Sequence, residues 1–222
     1  MGYAGSMNNS KDPRAHGPSV AGLLLAAGGG RRLGGRPKAL LRYRGGLLAG
    51  HALEVLRAGG CSPVHAVLGA GAAEVRERIR PLAPGTVLVE NPDWAAGMGS
   101  SLRAGLESLA AVPGAGAVLV MLVDQPRIGP EAVARVLAAH RAGAGLAAAA
   151  YGGERGHPVL FAREHWAGVA AAARGDQGAR TYLRAHAAGI TLVECGDVAA
   201  ADDLDTPEDL ARLTAGGIEL PP

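Results

Sequence analysis

The stretch that decides the fold of this chain is Val20–Lys38, VAGLLLAAGGGRRLGGRPK. It begins with a short apolar run, Val20–Ala26, which is typical of a buried strand. A loop rich in glycine and arginine follows, Gly28–Pro37. Glycines at a strand end let backbone N–H groups come close to a phosphate, and the arginines and Lys38 add positive charge. The stretch therefore predicts a buried strand that leads into a phosphate-binding loop.

Two common phosphate-binding motifs are excluded by the residues of this loop. A Walker A loop needs Ser or Thr after its lysine, but Lys38 is followed by Ala39. A dinucleotide fingerprint counted from Gly28 and Gly30 needs a further glycine at the position of Leu33. The alternative to a phosphate site is an ordinary glycine-rich turn with solvated arginines, because such loops are common.

Strands and helices alternate over most of the chain. The predicted strands are Val20–Ala26, Val64–Leu68, Thr86–Val89, Ala117–Val123, Leu146–Tyr151, Pro158–Phe161 and Ile190–Glu194. The predicted helices are Leu47–Ala58, Ala72–Arg80, Gly99–Leu109 (capped by Ser100 or Ser101), Pro130–Ala142, Gln177–Ala187 and Pro207–Leu213. This order is typical of βαβ units. It predicts an α/β fold of three αβα layers around a mostly parallel, twisted sheet.

Composition is that of a folded globular chain with one domain. Its 222 residues are 48% hydrophobic and 19% charged, and the formal net charge is only +2. This balance excludes a disordered chain, and it offers no basic field for nucleic acid or a membrane surface. We expect one domain over residues 19–216, a disordered tail over residues 1–18 in which residues 1–6 resemble a cloning remnant, and a short tail over residues 217–222. Two distant cysteines and a polar N-terminus favour a reducing, cytoplasmic location.

Two aspartates stand in contexts that suit a metal ion. The apolar strand Ala117–Val123 ends directly at Asp124. Mg²⁺ takes one or two protein carboxylates beside substrate phosphates, whereas a turn or cap is the alternative role for Asp124. Near the C-terminus, Asp205 precedes Thr206 and Pro207, which begin a helix well. Asp205 is therefore structural, metal-binding or both.

The combination of these motifs resembles the MobA-like nucleotidyltransferases, whose signature is Leu-Ala-Ala-Gly-x-Gly-x-Arg-Met-Gly-x-x-x-Lys. The chain carries this signature at 25–38, with Leu33 in place of the methionine. Within the family it is most similar to the molybdenum cofactor cytidylyltransferase group. Further motifs that carry this likeness are NPDWAAGM at 91–98, VDQP at 123–126, GHP at 156–158, GDQGAR at 175–180 and DLDTP at 203–207. Together they span roughly Val20–Leu213.

The resemblance implies a Rossmann-like nucleotidyltransferase fold and a Mg²⁺-dependent reaction. CMP would pass from CTP to a phosphorylated acceptor such as molybdopterin, and pyrophosphate would leave. Relatives that use GTP usually carry Leu-Ala-Gly-Gly, so Ala27 favours cytidine, while GTP or another phosphorylated acceptor is the alternative. A recipient molybdoenzyme is an expected partner. A different class of function is a non-catalytic chaperone for such a cofactor, but the joint presence of Lys38, Asp124 and Asp205 favours catalysis.

The resemblance also assigns roles to individual residues. The implied triphosphate residues are Gly28, Gly30, Arg32 and Lys38. Those implied near the base and ribose are Ala26, Ala27, Gly97 and Ser101, with Asn91 as a weaker candidate. Those implied at the metal are Asp124 and Asp205, with Asp203 as the alternative, and those implied at the acceptor are His157, Asp176 and Arg180. We expect catalysis to rest on Arg32, Lys38 and Asp124, which would offset or organise charge in the transition state.

Overall fold

The computed structural model describes residues 19–206, 208, 209 and 212. The strands are β1 Ser19–Ala26, β2 Arg42–Tyr43, β3 Gly46–Leu47, β4 Val64–Leu68, β5 Val87–Glu90, β6 Ala115–Leu122, β7 Leu146–Tyr151, β8 Glu154–Ala162 and β9 Ile190–Glu194. The α-helices are α1 Leu48–Ala58, α2 Ala72–Ile79, α3 Met98–Ala110, α4 Pro130–Arg141, α5 Trp166–Ala172 and α6 Arg180–Ala185. The predicted helix Pro207–Leu213 lies mostly outside the described residues.

Seven of the strands form one sheet in the order β5-β4-β1-β6-β8-β7-β9. The pairs of β8 with β6 and β7 are antiparallel, and all other pairs in this sheet are parallel. The predicted α/β fold with a mostly parallel sheet is thus confirmed. The chain passes from β1 to β4 on one side and later reaches β6 on the other side. The strand order therefore reverses between β1 and β6, which is where such sheets bind ligands.

Helices cover both faces of the sheet because its central strands are apolar at successive positions. Leu24 and Leu119 pack in the core shared with α1, α2 and α4. Leu23 and Val118 pack in the core shared with α3, α5 and α6. We call this second side of the sheet the α3 face. None of the described helices is both long and apolar enough to cross a membrane.

The prediction that Ser100 or Ser101 caps the third helix was wrong. Helix α3 begins at Met98, and its N-cap is Gly97, which makes no side-chain capping bond. Both serines lie inside the first turn and are buried. Their hydroxyl oxygens instead accept hydrogen bonds from the side-chain amide of Asn91.

Other differences cluster in the C-terminal half. The strand predicted at 158–161 is part of the longer β8, because Gly152 and Gly153 both adopt positive φ and form a two-residue hairpin turn after β7. The helix predicted at 177–187 is shorter, since Gly178 has φ 52° and interrupts it. Helix α5 was missed because its run of alanines gives no clear amphipathic period.

Candidate active site

A cavity of about 390 Å³ opens at the carboxyl ends of β1 and β6, where the strand order reverses. This volume lies in the range of small-molecule sites. We call it the crevice. The predicted site residues that line it are Ala27, Gly28, Gly30, Arg32, Lys38, Gly97, Ser101, Asp124, Asp176 and Asp205. The predicted residues Ala26, His157 and Arg180 do not line it. Residues far apart in sequence thus meet at the carboxyl ends of β1 and β6.

Two glycines of the loop are needed for different reasons. Gly30 is buried with φ 56°, and a Cβ there would lie 2.1 Å from the carbonyl oxygen of Arg36. Its carbonyl accepts hydrogen bonds from the N–H groups of Leu33 and Gly35 at 2.7 and 3.0 Å. Gly28 is exposed to the crevice, and a Cβ there would meet nothing within 4 Å. Gly30 therefore fixes the shape of the loop, whereas Gly28 leaves open space for a ligand.

This contrast gives a prediction for two alanine variants. Gly30→Ala should lower the free energy of unfolding by at least about 1–2 kcal/mol, because a side chain at positive φ is strained and also clashes. Gly28→Ala should leave that free energy within about 0.5 kcal/mol, and it should weaken the binding of a nucleoside triphosphate because its methyl group occupies the crevice. Thermal unfolding with and without nucleoside triphosphates and a divalent cation measures both effects. Equal stability losses in the two variants would contradict this assignment.

Lys38 lies between two carboxylates at one end of the crevice. Its Nζ donates to Oδ2 of Asp124 at 2.8 Å and to Oδ1 of Asp205 at 2.5 Å. Only 13% of its side chain is exposed. Burial opposes the charge of the ammonium group, but attraction and hydrogen bonds from Asp124 and Asp205 outweigh it, so the pKa of Lys38 is raised. The three side chains form one charged unit, which we call the Lys38 triad.

Asp205 reaches this triad because the chain beside it is anchored in the core. Leu204 is fully buried, and its N–H donates to the carbonyl oxygen of Asp124 at 2.9 Å. Asp203 instead accepts a hydrogen bond from Nε2 of Gln125 at 2.8 Å. Asp205 and Asp203 were the two candidates for the second metal ligand. Asp205 shares Lys38 with Asp124, whereas Asp203 contacts Gln125 instead.

The donor chemistry of the triad fits a divalent cation that arrives with a nucleotide. Asp124 and Asp205 supply hard carboxylate oxygens at one place. Within the described part of the chain, no group of three or more His, Cys, Asp or Glu residues could hold a metal alone. Mg²⁺ commonly takes only one or two carboxylates and completes its shell with phosphates and water. The pair therefore fits this kind of metal.

A buried polar network supports the wall of the crevice. The Nδ2 of Asn91 donates to Oγ of Ser100 at 2.8 Å and to Oγ of Ser101 at 3.0 Å. Its Oδ1 accepts from the N–H of Asp93 at 3.0 Å. Asn91 is 4% exposed and does not line the crevice, so it supports Ser101 rather than facing a base itself.

Two further contacts shape the same wall. Trp94 lines the crevice, and a Cβ on Gly69 would lie 2.4 Å from the Cβ of Trp94, so a small residue there allows the indole to pack close. Gly97 has φ 101°, and a Cβ there would lie 2.6 Å from Oδ1 of Asp176. Gly97 therefore lets the Asp176 loop approach the crevice. Arg31 and Met98 also line the crevice, although the sequence analysis gave neither of them an individual role.

His157 stands beside the crevice and is held by β7. Its carbonyl oxygen accepts a hydrogen bond from the hydroxyl of Tyr151 at 2.7 Å. Burial lowers the pKa of His157 to about 4, with the charges of Arg155 and Arg180 acting in the same direction and Asp124 opposing them. A pKa this low leaves the imidazole neutral at pH 7.

Comparisons with known proteins agree with this architecture. Residues 22–190 match the MobA-like NTP transferase domain. Nicotine blue oxidoreductase from Paenarthrobacter nicotinovorans is 43% identical over 203 residues, which cover 88% of this chain and 97% of that protein. The crystal structure of an Rv0371c homolog from Mycobacterium sp. strain JC1 matches this chain with a TM-score of 0.77 at 31% sequence identity. The match covers 90% of this chain and 98% of that protein.

A related structure was obtained with a metal. Rv0371c from Mycobacterium tuberculosis in complex with manganese has a TM-score of 0.70 at 29% identity, and the match covers 88% of this chain and 97% of that one. The family match spans most of the sheet, from β1 to the start of β9, and includes both the glycine loop and Asp124. From the sheet order, the crevice at its reversal point and this match, we conclude that the chain belongs to the MobA-like NTP transferase family and is a nucleotidyltransferase of that kind.

Proposed function

We propose that this enzyme transfers CMP from CTP to the phosphate of molybdopterin, with Mg²⁺ as its metal. The observation that carries the proposal is the Lys38 triad, which stands beside the glycine loop in the crevice. A backbone loop for phosphates, a buried ammonium and two carboxylates are what a metal-assisted nucleotidyl transfer needs. The manganese complex of Rv0371c supports a divalent cation for this family.

The reaction would proceed by direct displacement. A phosphate oxygen of the acceptor attacks the α-phosphorus of CTP and forms a new P–O bond, while the bond to the β-phosphate oxygen breaks and pyrophosphate leaves. Such a transfer depends on alignment and on charge neutralisation more than on a protein nucleophile. When bound, Mg²⁺ supplies positive charge at the phosphates, and Asp124 and Asp205 would hold it. Gly28, Arg32 and Lys38 would bind the triphosphate.

The choice of CTP within this proposal rests on Ala27. Its side chain is buried and lines the crevice, and a Cβ on Gly69 would lie only 2.8 Å from the Cβ of Ala27. The preference for CTP over GTP is carried over from the resemblance of Leu25–Gly28 to the cytidylyl-transferring relatives. We also propose that the enzyme works in the reducing cytoplasm and passes its product to a recipient molybdoenzyme. The thiols of Cys61 and Cys195 are free and buried, which suits a reducing compartment.

The experiment that tests this proposal is thermal stabilisation by CTP, GTP, ATP and UTP, each with and without Mg²⁺. A ligand that binds the native state adds RT ln(1 + [L]/Kd) to its stability. We expect a Mg²⁺-dependent shift that is largest with CTP. A larger shift with GTP would keep the chemistry and overturn the role given to Ala27. Binding without pyrophosphate release in the presence of molybdopterin would instead favour a non-catalytic chaperone.

A second candidate is a redox activity in the same crevice. It is favoured by the 43% identity to a protein named as an oxidoreductase. The two activities can be told apart by what each one changes. Nucleotidyl transfer releases pyrophosphate, whereas the reduction of a substrate oxidises the electron donor. Incubating the protein with NADH and nicotine blue, and separately with CTP, Mg²⁺ and molybdopterin, distinguishes them. NADH oxidation without pyrophosphate release in either mixture would replace the first proposal with the second.

A further inference from the structure

The side chain of Gln125 is buried next to the Lys38 triad but does not line the crevice. It follows Asp124 directly and is 6% exposed. Its Nε2 donates to Oδ1 of Asp203 at 2.8 Å. Its Oε1 is buried and accepts no hydrogen bond from any of the described residues. Most buried polar side-chain atoms have a partner, so an amide that uses only its donor end is unusual. The orientation of this amide is set by Asp203.

The unpartnered oxygen indicates what the glutamine contributes. A buried carbonyl oxygen without a donor destabilises the folded state, and an apolar side chain of similar size would avoid that loss. Packing alone would therefore favour a methionine or a leucine at this position. What the amide adds is the hydrogen bond to Asp203, which is charge-assisted because the acceptor is a carboxylate. We therefore look for the role of Gln125 in this one contact.

The contact joins the two segments that carry the carboxylates of the triad. Gln125 follows Asp124, and Asp203 lies two positions before Asp205. Next to this contact, the buried Leu204 donates its N–H to the carbonyl oxygen of Asp124 at 2.9 Å. The two hydrogen bonds, one from the side chain of Gln125 and one from the backbone of Leu204, hold the second segment against the first. We call this pair of hydrogen bonds the clasp.

Asp205 depends on its backbone for its place in the triad. Its side chain is 47% exposed, so apolar packing does not fix it. On the C-terminal side, its N–H donates to Oδ2 of Asp209 at 3.1 Å. On the N-terminal side, the clasp holds Leu204 and Asp203. Residues behind a metal ligand affect metal affinity because they fix the position of its donor atoms. The clasp is therefore well placed to affect a metal that Asp205 binds.

We propose that Gln125 is a positioning residue, whose hydrogen bond to Asp203 sets Asp205 beside Asp124 for the divalent cation. This inference rests on the proposed metal-dependent nucleotidyl transfer, and it gives a role to a residue outside the crevice. When the amide is removed, the exposed Asp203 can bond to water instead. The segment then stays folded, but the carboxylate of Asp205 is held less firmly. The metal binds more weakly, although the glycine loop is unchanged.

The variant Gln125→Met tests the clasp in the protein without ligands, because it removes the amide and keeps a similar volume. It should unfold at no lower temperature than the wild type, since the unpartnered oxygen is gone. We expect the amide hydrogen of Leu204 to exchange at least about tenfold faster than in the wild type, because local opening of the clasp exposes it. The amide of Leu119 in the core of β6 should exchange as before. An unchanged exchange rate at Leu204 would overturn the inference, whatever reaction the enzyme catalyses.

Thermal unfolding at a fixed CTP concentration, with Mg²⁺ varied and no acceptor present, measures the metal dependence without turnover. The Mg²⁺ concentration that gives half of the stabilisation should rise about 10- to 100-fold in Gln125→Met, the usual effect of losing a residue behind a metal ligand. Pyrophosphate release should show the same rise in the KM for Mg²⁺, with a kcat near that of the wild type at saturating Mg²⁺. Asp202→Asn is the matched control and should change neither value, because its exposed carboxylate pairs with Arg127 outside the clasp. An unchanged Mg²⁺ requirement in Gln125→Met would overturn the inference and leave the proposed function standing.

Two changes of the partner separate positioning from direct metal binding by Asp203. Asp203→Asn keeps an acceptor oxygen for Gln125 and removes the charge, so its Mg²⁺ requirement should stay close to that of the wild type. Asp203→Ala removes the acceptor and should resemble Gln125→Met. An equally large rise in both Asp203 variants would mean that Asp203 itself binds the metal, which would overturn the inference but not the proposed function. A wild type that shows no Mg²⁺-dependent stabilisation with CTP, GTP, ATP or UTP would overturn both.

Discussion

Asp124→Asn is expected to lower the rate of pyrophosphate release by about 10²- to 10³-fold, which is the usual loss when one preorganised charge-stabilising group is removed. The substitution keeps the shape of the side chain and removes the charge that a divalent cation requires. Asp124 follows the buried strand β6, and its carboxylate contacts the ammonium group of Lys38 at the edge of the crevice. The apolar core therefore does not depend on this side chain. Circular dichroism and thermal unfolding should show a native fold.

A matched control for this variant is Asp202→Asn. Asp202 lies in the segment that leads to Asp205, but its carboxylate is exposed and pairs with Arg127 at 2.7 Å. Exposed ion pairs contribute little, so both the rate and the stability should stay near those of the wild type. If Asp124→Asn instead turns over at the wild-type rate, the assignment of Asp124 to the metal is wrong.

Lys38→Met is expected to weaken CTP binding by about 10- to 100-fold and cytidine binding much less. The ammonium group is the buried cation beside the glycine loop, and hydrogen bonds to charged groups contribute about 1.5–3 kcal/mol. Cytidine has no phosphate group for the ammonium to contact, so its binding should depend little on Lys38. Calorimetric titration of the wild type and the variant with both ligands measures the difference.

The same variant also changes the apo protein, because it removes the positive charge between the two carboxylates. Without the ammonium group, Asp124 and Asp205 face each other with no cation between them. Mg²⁺ added without nucleotide should therefore raise the thermal stability of Lys38→Met more than that of the wild type. Arg78→Met serves as the control for loss of a positive charge elsewhere. Equal losses of CTP and cytidine affinity in Lys38→Met would mean that Lys38 only holds the fold together.

Much of the crevice was predictable because its parts are local in sequence. The apolar run before Gly28 predicts a buried strand, and the run before Asp124 predicts another. Parallel strands end at the same edge of a sheet, so a mostly parallel sheet allows the glycine loop and Asp124 to meet. The structure places both in one crevice between β1 and β6.

Other features depend on contacts that no local pattern contains. Lys38 and Asp205 are 167 residues apart, and their contact requires Leu204 to be buried beside Asp124. In an extended segment, residues two positions apart point to the same side, so the sequence does not separate Asp203 from Asp205. The hydrogen bonds separate them, since Asp205 contacts Lys38 and Asp203 contacts Gln125. The serines of α3 were taken for caps because their hydrogen-bond partner, Asn91, lies on a separate segment of the chain.

The start of β8 was predictable from the sequence only in part. The turn signal was present in the sequence, since Gly152-Gly153 between two strands predicts a two-residue hairpin. A strand that begins at Glu154 then follows from the pairing rules. Which face carries Arg155, however, depends on the register with β7, and that register contains an irregularity between Ala148 and Ala150. The sequence therefore does not predict on which face of the sheet Arg155 lies.

The most direct test of nucleotidyl transfer follows the α-phosphate itself. CTP labelled at that phosphate is incubated with the protein, Mg²⁺ and molybdopterin, and the products are separated, with Asp124→Asn as the control. The account predicts that the label appears on the pterin in the wild type, that pyrophosphate is released in equal amount, and that the variant transfers almost none. Label that stays in the nucleotide with CTP, and equally with GTP, in a protein that nevertheless binds both substrates would contradict the account.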